Sequence, residues 1–531
     1  MYDNNAHEEQ KVLGKDIKVF LNEAEEHIKS RDRAYIDKIK SIDANSHLIF
    51  SFSGLLINIG ILEKDESLVN EGTTFLLDNL KSLSKQKAFA PGAYYNLANG
   101  YNALFDFELG KDKYYALFKK TELEQAKFNY MKALQSLPHS KSLLASQIWV
   151  NLGNLYFDIG RVVDALDCYD TAILCEPDHG MAYINKGKAL YYFAKYSGKQ
   201  RAPFAREAYR LIKKGLELGI NKEAISYFNN LLAIIEKHFK NKEWLNKEKA
   251  SSHIEIKAKN KFERFLIEYC LKNRLYLNIC SFCQRCDQAI GDPETIEKMI
   301  EPVGKLDRIT DSRMSYLFSY INQIKQDFIT ARFLFVLSQY SGINIKFVDA
   351  KVRLIDTLDY QQHNIRVELL KNSFVSYYNI LDKIACFIND YLELDNGSNK
   401  NVYFSDVWYK ELRSENGVQK KIMNTKNYFL NALYNIHGDI EKGHNKKLKG
   451  IRHRLTHGFL RIYWMAGVED KKMTERTLYE DTLTLSKSVR NAVIYLLKFV
   501  YVEENNKEKE GDKISVPMLL MEIPDRLKNI Y

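Results

Sequence analysis

Proline and glycine are scarce, at 8 and 25 of 531 residues. These two residues punctuate turns, and an all-β sandwich or barrel needs many of them. Runs of strictly alternating apolar and polar residues are also rare, which removes the usual mark of half-buried strands. Together these absences point to an all-α protein. No apolar run reaches the roughly 20 residues that a membrane-spanning helix needs. The best candidate, Val493–Val502, is too short and contains Lys498. The first residues, Met1 to Glu9, lack the apolar core of a signal peptide. A soluble, cytoplasmic protein with no membrane partner is expected. Cysteine is sparse too, with seven in the chain, as suits a reducing compartment. Three of them stand as Cys280-x2-Cys283-x2-Cys286. Thiolates at this spacing can converge on zinc or an iron–sulfur cluster. A fourth ligand would have to be Cys270, His253 or Asp287, and the second cysteine pair of a structural zinc site is missing. The expectation is therefore no metal and no cofactor, with Cys280, Cys283 and Cys286 as the candidate ligands if there were one.

What is present is a globular composition, 45% apolar, in a chain long enough for two to four domains. The net charge of +10 permits a polyanionic partner without requiring one, because 68 residues are Asp or Glu. Aromatics are abundant, with 34 Tyr and 28 Phe. Half-buried positions between helices account for most such residues; stacking on nucleobases is the sharper alternative.

The clearest pattern in the first half begins at Trp149. Trp149, Leu152, Gly153, Tyr156, Gly160, Ala165, Tyr169, Ala172 and Pro177 fall at the offsets of the tetratricopeptide repeat, whose period is about 34 residues. Gly153 and Ala165 are small enough for two helices to approach closely, the aromatics fill the groove, and Pro177 stops the second helix. Tyr94, Leu97, Ala98 and Tyr101, with Ala126, Tyr130, Ala133 and Pro138, repeat the pattern around an insertion. Tyr183, Gly187, Leu190, Ala205 and Tyr209 repeat it again. A helical solenoid over residues 1–250 is expected, closed by a helix at Lys222–Phe239 and a charged linker at Lys240–Ala250. Its concave groove would take a protein, a peptide or RNA.

Residues 251–350 read as a helical connecting region, 351–503 as a helical bundle, and 504–531 as a charged linker followed by an apolar docking tail. The bundle contains a long helix from about Asn364 to Leu394 and a last helix over about Thr474–Val502. Between them a basic loop, Lys442–Gly450, leads into Arg452-His-Arg-Leu-Thr-His457. Arg452 and His457 form an R-x4-H spacing. Arginine is always charged and its planar fork suits a phosphate, while histidine exchanges a proton near neutral pH. These are the minimum for cutting RNA without a metal. By itself the spacing says little, since on the order of one R-x4–6-H match arises by chance in such a chain. On an ideal helix, positions five apart lie roughly 140° apart, so Arg452 and His457 do not share a face, whereas His453 and His457 do. Gly458 reads as the helix stop.

The stretches Tyr269–Asn278, Asn322–Arg332, Asp356–Tyr360, Leu381–Leu392 and Arg452–His457, taken together, resemble the HEPN (higher eukaryotes and prokaryotes nucleotide-binding) domain proteins. The resemblance is to the branch that carries tetratricopeptide repeats ahead of the HEPN domain. It implies a helical bundle that pairs as a homodimer, with two R-x4–6-H motifs facing across the interface as one composite ribonuclease site. The family places a polar residue directly after the arginine, here His453, and an acidic residue in an earlier helix, for which Asp382 matches better than Asp390. The resemblance then implies catalysis by Arg452, His457, His453 and Asp382. Lys446, Lys447 and Lys449 would hold the RNA backbone electrostatically. RNases of this kind resemble toxins and abortive-infection effectors that cut tRNA or other RNA in antiphage defence, with the repeats as sensor or partner dock. Two other readings stand beside it: a non-catalytic scaffold that binds nucleotides or partners, and a regulator whose repeats bind a peptide signal.

Overall fold

The periodic apolar stretches are helices in a computed structural model of the chain. It describes residues 19–41, 46–112, 117–118, 121–198, 201–239, 245, 254–282, 289–296, 298–302, 313–345, 347–355, 358–394, 402–409, 417–464, 473–508 and 513–517. Two units divide it: Met1–Asp158, Asp164–Tyr191 and Ala208–His238 form one, and Ile159–Val163, Tyr192–Glu207 and Phe239–Tyr531 form the other.

In chain order the first helices are α1 (Arg33–Ser41), α2 (Ser46–Leu62), α3 (Glu66–Leu83), α4 (Ala90–Lys111), α5 (Thr121–Ser136) and α6 (Leu143–Asp158). They are followed by α7 (Val162–Cys175), α8 (Gly180–Ala194), α9 (Arg201–Leu218) and α10 (Lys222–His238). Asp65 caps α3 by accepting from Leu68 N at 3.0 Å. Within the first unit successive helices from α2 to α6 pack on one another, an arrangement compatible with repeat-like helices. Val150, Ala172 and Ala182 join α6, α7 and α8 in one apolar cluster. Gly153 is where α6 meets the Tyr169 ring: a Cβ there would lie 2.6 Å from Tyr169 Cε1. Tyr169 is buried and donates to Asn154 Oδ1 at 2.9 Å, so it has no room to retreat. Gly153→Val should therefore destabilise the first unit by about 1–3 kcal/mol, the usual cost of overpacking, read as a lower urea midpoint of the full chain.

The second unit begins its regular structure with α11 (Lys261–Asn273), capped by Asn260 and ended by Arg274 in the left-handed region (φ 56°). Then come strand β1 (Lys298–Pro302), α12 (Arg313–Gln339), α13 (Ile365–Tyr391), α14 (Lys420–Asn424), α15 (Tyr428–Glu441), α16 (Lys446–His457), α17 (Glu475–Glu508) and strand β2 (Lys513–Pro517). Asn364 caps α13 and Asn427 caps α15, each with its side-chain oxygen on backbone N–H groups. α12 lies along α13, and α13 and α15 both pack on α17. α17 is buried nearly all round from Val489 to Val500, which is why that stretch looked so apolar. Gly160 takes φ 93° and sits so close to Tyr428 O that no side chain fits. Beside it, Arg161 pairs with buried Asp439 and donates to Asn435 Oδ1 at 3.1 Å.

The loop between α11 and β1 is held by buried polar groups. Arg332 of α12 grips Asp292 with two bonds of 2.7 and 2.8 Å and donates to Leu275 O at 3.0 Å. Arg490 of α17 donates to Tyr276 O at 2.9 Å and also to Asn278 O. Lys498 reaches Glu294 at 2.6 Å with both side chains buried.

Two expectations need correction. Lys446–Lys449 is not loop but the first turn of α16. Leu448 and Ile451 are buried there, and that anchoring outweighs the unfavourable placing of lysines at a helix N-terminus. The charged linker expected after Val502 is helix as far as Glu508. Glu504 is 1% exposed, accepting from Tyr391 Oη and from Ile300 N, so the charge run hides a buried acceptor. The all-α class holds; among the described residues one small sheet adds to it, in which β1 and β2 pair antiparallel with Met299 opposite Val516. The tail thus docks through Lys513–Pro517, while the rest of its apolar patch, Met518 to Met521, lies outside the described residues.

Candidate active site

α16 presents two different faces. Leu448 and Ile451 turn inward, and Arg452 follows them to the edge of the buried side, 25% exposed. His453 and His457 stand one turn apart on the exposed side, their rings 5.5 Å centroid to centroid. The separation expected from helix geometry is thus realised, and one α16 does not direct Arg452 and His457 to the same side.

Arg452 meets α13 at two side chains also spaced one turn apart. Its guanidinium carbon lies 5.6 Å from the Tyr378 ring centroid, and Nη2 is 3.7 Å from Asp382 Oδ2. That separation is too long for a hydrogen bond. Nε of Arg452 is buried and has no acceptor among the described residues. The three buried arginines differ: Arg161, Arg332 and Arg490 each have two or more close acceptors. Arg452 is held in place while keeping donors to spare, which is what a phosphate needs.

Asp382 is oriented by Phe404, whose N–H donates to Oδ1 at 3.0 Å. Phe404 in turn packs on Trp408 and on the ring of His437, which also touches Tyr409 and Tyr434. Burial pushes the Asp382 carboxyl above the usual aspartate range, opposed by the Phe404 N–H and by Arg452 and reinforced by Asp406 and Glu441. Burial likewise raises the Tyr378 phenol, with Glu441 and Asp382 adding to it. A carboxyl whose pKa is higher folded than unfolded stabilises the fold below the unfolded value and loses that contribution as pH rises through the folded one. Asp382→Asn should therefore flatten the fall in stability that sets in above about pH 4, the ordinary aspartate range. Urea midpoints of parent and variant at pH 4.5 and pH 7.5 check this; equal midpoint shifts at both pH values would refute it.

The basic residues ahead of the motif are partly engaged. Lys447 pairs with buried Asp481 at 2.5 Å and Lys449 pairs with Glu441, while Lys446 is exposed. Asp390 belongs to a different region, near Arg313 and Tyr316. Cys280 lies buried in a 3-10 turn, Cys283 and Cys286 fall outside the described residues, and no group able to hold a metal occurs among the described ones.

Residues 309–503 match the model of the LA2681-like HEPN family. The chain carries an LA2681-like HEPN domain. No curated protein matches the chain. The HEPN match starts ahead of α12, which is part of the same helical bundle as α13. Within the HEPN domain, the structure brings Arg452 and Asp382 together and puts His453 beside His457, but leaves the histidines outside the Arg452–Asp382 contact. The residue that the sequence alone did not reveal is Tyr378. It was legible only as an apolar helix position; its spacing of four from Asp382 was the available signal. No helix among the described residues is long and apolar enough to cross a membrane.

Proposed function

We propose that the HEPN domain is a metal-independent endoribonuclease. The observation that carries this is the state of Arg452: wedged between Tyr378 and Asp382, with a buried Nε that finds no acceptor among the described residues. An anionic phosphate oxygen would complete it. Arg452 would stabilise charge building on the scissile phosphate, and His457 would take the 2′-hydroxyl proton or protonate the leaving 5′-oxygen. His453, one turn away, shares the proton work, and Asp382 orients the guanidinium. The products are a 2′,3′-cyclic phosphate and a 5′-hydroxyl. Because Arg452 and His457 turn to different sides of α16, the working site is composite, with the complementary half supplied by a second copy of the chain. The repeat-like helices serve as sensor or dock for a protein or peptide that releases or restrains the activity, in a toxin or abortive-infection role acting on tRNA or other RNA.

The test is incubation of the purified full chain with total RNA in a chelator, followed by end-group analysis. Fragments ending in cyclic phosphate are expected. RNA that is bound but left whole would leave a non-catalytic scaffold as the surviving account. For the toxin role, expression of the parent protein should slow growth while the His457→Ala variant does not.

A further inference from the structure

Beyond His457 the chain does not return to the core at once. Phe459, two residues on, is 93% exposed, and Trp464 is 72% exposed. Between them Leu460, Ile462 and Tyr463 are buried and Arg461 is exposed, so the apolar residues anchor the segment while Phe459 and Trp464 stay in water. It is pinned to residues 360–362: Gln362 N donates to Ile462 O at 2.7 Å and Trp464 N to Tyr360 O at 3.2 Å. Tyr463 bridges both Gln361 and Thr474. With its amide oriented to satisfy both ends, Gln362 donates to Glu475 Oε2 at 2.9 Å and accepts from the Trp464 indole N–H at 3.3 Å. The indole is held by its edge with its surface open. Tyr360 beside it is also exposed, at 79%.

Three large aromatic side chains in water next to a phosphate-seeking helix require an explanation. The charge around them narrows it. From Lys446 to Trp464 the chain carries six Lys or Arg, two His and no Asp or Glu. Arg454 and Arg461 are exposed among the aromatics. A purely apolar protein surface would not be matched by such a segment, whereas a single strand of RNA offers both a polyanionic backbone and unstacked rings. Two residues of chain span at most about 7 Å, so Phe459 is within one nucleotide's reach of His457.

We propose that Phe459 and Trp464, flanked by Tyr360, form a stacking platform for unpaired nucleobases beside the R-x4-H motif, so that the HEPN domain selects single-stranded RNA. This rests on the ribonuclease reading for its setting, but the platform is a binding site and is tested without cleavage. Arg454 and Arg461 hold the backbone as it passes between the rings.

The test uses the full chain carrying His457→Ala, so that RNA stays whole, and fluorescently labelled RNA of one sequence as single strand and as duplex. Phe459→Ala and Trp464→Ala should each weaken single-strand binding by about tenfold and duplex binding far less. Trp464→Phe should keep the affinity but lose most of the tryptophan quenching that RNA causes. Single-strand affinity within twofold of the parent in both alanine variants overturns the platform. So does an equal loss on single strand and duplex, which would mark a purely electrostatic contact. So does failure of the parent to bind single-stranded RNA at all. If instead the alanine variants lose self-association and keep their RNA affinity, the aromatics belong to an interface between copies and the proposal fails. A protein that binds single strands through Phe459 and Trp464 but never cuts RNA would sink the ribonuclease reading and leave the platform standing.

Discussion

Arg452→Ala should lower RNA cleavage at least a hundredfold while the helical signal and urea midpoint stay close to the parent values. Removing one donor that stabilises transition-state charge costs on the order of 100- to 1,000-fold. The structural cost should be small because Arg452 has little to lose: a contact of 3.7 Å to Asp382 and a ring at 5.6 Å, with no acceptor for Nε among the described residues. His457→Ala should act similarly, since a positioned acid or base supplies roughly 100- to 10,000-fold. His457 is exposed, so its removal leaves no cavity. A composite site adds a sharper result. Two inactive variants, Arg452→Ala and His457→Ala, should regain cleavage on mixing, because the mixed pair contains one intact Arg452 opposite one intact His457. If both single variants cut RNA at the parent rate, the ribonuclease reading is wrong. If neither cuts and the mixture stays inactive after exchange, each site is built within one chain.

Asp292→Ala should destabilise the second unit by about 3–5 kcal/mol, the cost of breaking a buried ion pair. Arg332 is 6% exposed and Asp292 supplies both of its charged hydrogen bonds. Truncating the carboxylate leaves a buried guanidinium with, among the described residues, only Leu275 O to accept from it. Asp292 Oδ1 also accepts from Leu277 N at 2.7 Å, so the loop between α11 and β1 loses an anchor at the same time. Urea unfolding of the full chain should show the transition that follows the second unit moving to much lower urea. Replacing the pair together, as Asp292→Leu with Arg332→Met, should recover much of the loss, since apolar pairs of similar volume replace buried ion pairs well. An Asp292→Ala midpoint equal to that of the parent would show that the pair is solvated rather than buried.

The contrast between these arginines states what sequence alone could and could not supply. Arg332 and Arg452 both lie on helices within the family match; the R-x4-H spacing marks Arg452, but nothing local shows which of the two is saturated by acceptors. Helical periodicity was enough to expect the long helices now seen as α13 and α17; that Asn364 caps the first is seen only in the structure. The R-x4-H spacing and the helix stop at Gly458 were also legible, because each depends on offsets along one element; Asp382 was singled out only by the family resemblance, and its approach to Arg452 depends on α13 meeting α16. Offsets failed wherever a distant partner decided the matter. Lys447 and Lys449 looked like a solvated basic loop, yet Asp481 and Glu441 neutralise them and Leu448 ties their turn to the core. Glu504 looked like part of a linker, yet Tyr391 Oη and Ile300 N come from far along the chain to satisfy it.

The sequence by itself determined the helical class and the residue types that the candidate site can use, since periodicity and functional groups are properties of short stretches. Only the tertiary structure decided which arginine is saturated and which keeps a donor free, and that the aromatics after His457 face water. Those outcomes depend on which side chains from α13, α15 and the 360–362 segment arrive next to α16, and no spacing within one element encodes that.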